Sequence, residues 1–312
     1  MNIKPMDTGK QFLLLFAFLV FLFGSCATDK SKENKTSGTS GLSEDFNSED
    51  DELTEKINTA KRIFYSLPSP LETAMLIKNA GANYDGDLLN KVENTSKYNT
   101  NLKLALNLGI YSTDLSYASL FDQTQATLSY INAAKKMADG LEILDAIDES
   151  TIRRLEENIN NRDVIIDIIS ETLLNSNSFL EDKGLQSTSA IILVGGWVEG
   201  LHIATSLVPP GADLKTNKLV ERIVDQKLSL NIIISLLENN KDNPEVQILL
   251  KDIAELKAIY DKITIEQSEI TAVEDPNTNV TMLKSESTIK INKEIFDELA
   301  MKVKELRTRY IS

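Results

Sequence analysis

Residues 187–206 read STSAIILVGGWVEGLHIATS, and a helix drawn through them is apolar on nearly every side. A helix at a protein surface confines its apolar residues to one stripe, so a helix apolar all round belongs at the centre of a core. Three glycines, Gly195, Gly196 and Gly200, leave room for another backbone to come close. Glu199 and His202 are the strongly polar exceptions, and their spacing of three puts them on one helix face. Pro209, Pro210 and Gly211 end the segment.

Helical periodicity recurs on both sides of this element. Residues 51–64 place Leu53, Ile57, Ala60 and Phe64 on one side. In SLPSPLETAMLIKNAG, Ser69 is an N-cap, Pro70 the first helical residue, Glu72 the return arm of a capping box and Gly81 the stop. Residues 82–96 read as irregular, and 98–138 as helical with a possible break at 119–122. A further helix, capped by Asp148 or Ser150, is expected to run to Leu174, with Ile152, Leu155, Ile159, Ile166, Ile169 and Leu173 at helical spacing. Residues 214–238 and 244–262 are expected to form an antiparallel helix pair. The stretch 263–291 turns to Thr, Val and Ile around Asp275-Pro276-Asn277 and reads as a small β-hairpin. Asn292 then caps a final amphipathic helix bearing Ile295, Phe296, Leu299, Val303 and Leu306. The expected class is mainly α, a multi-helix bundle-like domain over residues 51–312, without internal repeats.

The N-terminus carries an address. Lys4 and Lys10 precede an unbroken apolar run from Phe12 to Phe23, followed by Gly24, Ser25 and Cys26. A basic start, a short apolar run and small residues describe a secretory signal peptide over residues 1–25. The run is shorter than the roughly 20 residues that span a bilayer. The Phe-Gly-Ser-Cys stretch at 23–26 resembles the lipobox of bacterial lipoproteins, with Phe where Leu is commoner. That resemblance implies cleavage after Ser25, diacylglycerol on the Cys26 sulfur and acylation of the new amino group. Two or three acyl chains anchor stably where one does not. Cys26 is the only cysteine in the chain, so no disulfide competes for it. Residues 27–50 of the segment 26–50, ATDKSKENKTSGTSGLSEDFNSED, are too polar to offset the ordering of their backbone and read as a disordered tether. Such a linker reaches about 25–30 Å. Ala27, rather than aspartate, follows the cysteine, which points to an outer membrane; either of its faces remains open.

The chain holds 33 basic and 47 acidic residues, a net charge of −14. Removal of residues 1–25 takes away Lys4, Lys10 and Asp7 and makes it one unit more negative. An acidic surface argues against nucleic acid and against adhesion to anionic lipid. The sequence contains no phosphate-binding glycine loop, cysteine pair or nucleophile elbow. No catalytic residue, metal ligand set or cofactor is assigned.

Three polar groupings carry candidate chemistry. The first is Trp197, Glu199 and His202: Glu-x-x-His is half of a di-iron bundle signature, and His202 is the only histidine, so the other half is missing. A single-metal site or enzyme using Glu199, His202 and outside carboxylates is one reading, and a buried Glu–His hydrogen bond the other. The second is Tyr111, Asp114 and Tyr117, spaced by three in a stretch that holds five of the eight tyrosines with Asn99, Asn107 and Asp122. Rings beside directed hydrogen-bonding groups suit a small polar ligand such as a sugar; the alternative is rings that pack inward with their hydroxyls satisfied internally. The third is Asp275, Asn277, Asn279 and Glu286, at positions 1, 3, 5 and 12 of a calcium loop. Val280 stands where that loop needs glycine, which favours an ordinary turn.

The segments YSLPSPLETAMLIKNAG (65–81), LNLGIYSTDLSYASLFDQ (106–123), NRDVIIDIISETL (161–173) and GGWVEGLHIAT (195–205) resemble a recurrent family of helical envelope lipoproteins of unassigned function. The resemblance implies a shared fold and address and transfers no catalytic residue. The leading expectation is a lipid-anchored, non-enzymatic module of the cell envelope that meets an envelope protein or a small polar ligand.

Overall fold

The fold is organised around two helices whose backbones nearly touch. The computed structural model describes residues 70–144, 149–267, 271–274, 281–284 and 287–312. The signal peptide, Cys26, the tether, the 51–64 helix, the Ser69 cap and the calcium-like loop lie outside the described residues.

In chain order the helices are α1 (Pro70–Asn79), α2 (Asn101–Leu120), α3 (Thr124–Gly140), α4 (Glu149–Glu157), α5 (Arg162–Asp182), α6 (Gln186–Ser206), α7 (Lys218–Glu238), α8 (Pro244–Tyr260) and α9 (Lys293–Tyr310). Four short strands precede α9: β1 (Thr264–Gln267), β2 (Thr271–Glu274), β3 (Thr281–Lys284) and β4 (Ser287–Lys290). They pair antiparallel in nested fashion, β1 with β4 through Ile265 opposite Ile289, and β2 with β3 through Val273 opposite Met282. The protein is mainly α.

Helix α6 is the expected central element. Every residue from Val194 to Thr205 is buried. By length and composition it could cross a membrane, yet 78% of its apolar window is buried inside the domain. Helix α2 is almost as enclosed, with every residue from Leu104 to Leu120 except Ser112 buried. The two meet through glycine. A Cβ at Gly109 would lie 1.9 Å from the Ile192 carbonyl oxygen, and one at Gly195 would lie 2.1 Å from the Leu106 carbonyl oxygen. The Thr113 hydroxyl donates across this seam to the Gly196 carbonyl at 3.1 Å. Gly200 gives α1 the same close approach, since a Cβ there would lie 2.6 Å from Thr73 Cγ2.

Helix ends follow side-chain chemistry. Gly81 (φ +85°) stops α1, and Asn217, Asn243 and Asn292 cap α7, α8 and α9 through their side-chain oxygens. The break between α2 and α3 falls at Asp122, in the left-handed region with φ +59°. Lys78 donates to the last carbonyl of α2, at Leu120.

Three expectations need correction. The helix expected to run unbroken to Leu174 is two helices. Asn161 begins a second one by accepting from Val164 N–H, while the Asn158 side chain bonds back to the Arg154 carbonyl. Short amide side chains that compete for backbone partners break a helix that apolar spacing alone would continue. Helix α5 then extends to Asp182, and Ser150 lies inside α4, while Asp148, the other expected cap, lies outside the described residues. Residues 82–96 are not wholly irregular, because 3₁₀ turns form at Gly86–Leu88 and Val92–Lys97. Helix α7 starts at Lys218, since Asp213 folds residues 213–216 into a turn through Lys215 N–H and the Thr216 hydroxyl.

Candidate functional site

The polar residues of the two central helices meet at one buried junction, together with the C-terminal helix. Glu199, on α6, is fully enclosed. Arg307, on α9, grips both of its oxygens: Nε donates to Oε2 at 3.0 Å and Nη2 to Oε1 at 3.1 Å. Nη2 also donates to the Leu88 carbonyl at 3.1 Å. A planar guanidinium is the cation suited to this two-point grip.

Asp114, on α2, is also fully enclosed. Its Oδ2 accepts from Asn90 N–H at 3.1 Å. Its Oδ1 has no hydrogen-bond donor among the described residues, and the carboxyl group lies within hydrogen-bonding reach of Glu199. Burial first, and then the Glu199 charge, hold Asp114 well above the usual carboxylate range, with Arg307 and the Asn90 N–H pulling the other way. His202 is buried with Nδ1 unpartnered among the described residues. Burial pushes its imidazole below the ordinary value despite the attraction of Glu199.

The network continues toward the end of the chain. The Asn90 amide donates to Tyr98 Oη at 3.0 Å and to Asn107 Oδ1 at 3.1 Å. Asn107 donates to the Tyr310 carbonyl at 3.0 Å, and the Tyr98 hydroxyl to the Ile311 carbonyl at 3.2 Å. These are among the last carbonyls of α9, which have no acceptor role within their own helix. The 3₁₀ segment and α2 therefore supply both a guanidinium partner and a C-terminal cap for a helix some 200 positions away.

Of the six residues in the first two groupings, the structure brings Asp114, Glu199 and His202 together. The other three are engaged internally. Tyr111 is buried and donates to the Lys91 carbonyl at 2.9 Å. Tyr117 donates to the Asn83 carbonyl at 3.2 Å, accepts from Asp85 N–H at 3.0 Å and stacks on Tyr84 with centroids 5.2 Å apart. Trp197 donates to Gln226 at 3.1 Å and borders a cleft between α1, α6 and α7. That cleft is lined by Thr73, Ile77, Leu201, Leu219 and Ile223 among others. Its room for solvent, ≈ 20 Å³, admits about one water.

Glu199 and His202 share a face as the spacing requires, but the cation on Glu199 is a guanidinium. Among the described residues no group of three or more His, Cys, Asp or Glu side chains is arranged to hold a metal ion. Sequence reasoning missed Arg307, Asn90 and Gly109. The one signal for Arg307 was its place at i+4 from Val303, at the border of the apolar stripe of α9. No protein-family model, curated protein or solved structure matches the chain.

Proposed function

We propose that the protein is a lipid-anchored module of the bacterial cell envelope, held through Cys26 and acting by binding rather than by catalysis. Two features support this reading. The single cysteine follows an apolar run and a small pair at 23–26, where a lipobox requires it. Both oxygens of Glu199, the carboxylate that an enzyme or metal reading would use, are already bonded to Arg307. The observation that carries the non-catalytic part is the bidentate Arg307–Glu199 pair, which occupies the one carboxylate of the Glu-x-x-His motif on both oxygens.

A tether of polar residues between Cys26 and the helical domain suits a module that works at some distance from the headgroups. Its partner is an envelope protein or a small polar ligand, and the net charge of −14 selects against nucleic acid. The test is fractionation and crosslinking in envelope-bearing cells that express the full chain. Wild type is expected to sediment with membranes, to require detergent for release and to form a discrete crosslinked species. Cys26→Ser is expected to lose membrane association. Equal solubility of the two proteins would overturn the anchor, and a turnover activity abolished by Glu199→Gln would overturn the non-catalytic reading.

A further inference from the structure

We propose that Asp114 is a protonated acid in the folded protein at neutral pH, donating its proton to Glu199 in a hydrogen bond, and that this proton makes the α2–α6–α9 junction a clasp that weakens as pH rises. Two carboxyl groups with no exposed surface lie within hydrogen-bonding reach of each other. Both Glu199 oxygens already accept from Arg307. Asp114 Oδ2 accepts from Asn90, and Oδ1 has no donor among the described residues. Two ionised acids here would bury two negative charges against one guanidinium and leave an orphan oxygen, and an uncompensated buried charge is among the costliest features a core can hold. A proton on Asp114 Oδ1 removes the orphan and converts the acid–acid contact into a charge-assisted hydrogen bond to Glu199. The junction is then neutral, with Glu199 and Arg307 the ionised pair.

Among the described residues, no neighbour offers a better home for that proton. From α2 the group faces Tyr111, from α3 Tyr130, and from the segment before α2 Tyr84 and Tyr98. Burial raises all four phenols above their ordinary value, so they stay neutral. From α6 it faces Glu199 and His202, whose imidazole burial holds neutral. From α9 come Arg307 and, acting on His202 from farther off, Lys304. Among the described residues, Arg307 is thus the one cation bonded into the junction.

The stability consequence has a definite sign. Asp114 is held well above the ordinary aspartate value in the folded protein, so folding takes up a proton that the unfolded chain has released. The contribution is fully present below the unfolded value near 4 and is lost as pH rises toward the folded one. Over that window the folding equilibrium constant falls about tenfold per pH unit.

The test uses the full-length chain, with aspartate carboxyl carbons followed by NMR and carboxylic-acid C=O stretching by infrared. A protonated-acid signal at pH 7 that disappears in Asp114→Asn is expected. Asparagine reproduces the donor to Glu199 and does not titrate, so the ratio of variant to wild-type folding constants is expected to rise about tenfold per pH unit above pH 4. Glu199→Gln removes the acceptor carboxylate and leaves Asp114 as the counter-ion of Arg307, so Asp114 is expected to ionise at pH 7 in that variant. A carboxylate at Asp114 in wild type at pH 7, a pH-independent ratio, or an Asp114 unchanged by Glu199→Gln would each overturn the proposal. Should Asp114→Asn fail to fold, the wild-type carbon signal alone decides.

Discussion

Replacing Arg307 by methionine removes the cation from the junction and keeps most of the aliphatic stem. Glu199 has a side chain with no exposed surface, and that of Arg307 is only 12% exposed, so solvent cannot compensate the loss. Breaking a buried ion pair from one side costs about 3–5 kcal/mol, chiefly through the charge left behind. The Leu88 carbonyl loses its Arg307 donor as well, which adds about 1 kcal/mol. For a domain of this size the ion-pair loss lowers the melting temperature by roughly 6–20 °C. The assay is urea unfolding followed by helical circular dichroism. The midpoint is expected to fall while the slope stays constant, because the surface exposed on unfolding does not change. The double variant Arg307→Met, Glu199→Met is expected to recover most of the loss, since well-packed apolar residues can replace a buried pair at little cost. A loss below about 1 kcal/mol in the single variant, the magnitude of an exposed pair, would refute the reasoning.

Other perturbations follow from the same geometry. Gly109→Ala drives a Cβ to 1.9 Å from the Ile192 carbonyl oxygen, so α2 and α6 must part; thermal unfolding is expected to show a loss of about 3 kcal/mol or more. Tyr117→Phe removes the donor to the Asn83 carbonyl and the acceptor of Asp85 N–H while keeping the ring stack; a loss of about 1–2 kcal/mol in denaturant is expected. Zinc or magnesium added to the purified chain is expected to leave its melting temperature unchanged, because Arg307 holds both Glu199 oxygens; a rise that His202→Ala abolishes would reinstate a metal site.

The sequence disclosed the centre of the fold better than its connections. The apolar run of α6 announced its own burial, and Asn292 marked the start of α9 through local chemistry that needs no distant partner. The glycines at 195, 196 and 200 signalled a close approach but could not say that Gly109 would face them. The Glu199–His202 spacing placed two polar groups on one face. What neutralises Glu199, Arg307, lies 108 positions further along, and helical periodicity carries no information over that separation. The tyrosines from Tyr84 to Tyr130 looked the same as a ligand face or as inward-packed rings. The choice depends on whether carbonyls such as those of Asn83 and Lys91 come within reach of their hydroxyls, and those carbonyls belong to a segment whose sequence suggested only irregularity. The break at Asn158–Asn161 was missed because apolar spacing continues across it on both sides.

The anchor itself is open to a single direct measurement: mass spectrometry of the N-terminal peptide of the mature protein, isolated from membranes of a lipoprotein-processing bacterium. The expected result is a peptide beginning at Cys26, carrying diacylglycerol on sulfur and absent from Cys26→Ser. A mature chain that begins elsewhere, or an unmodified Cys26 in the membrane-bound protein, would contradict it.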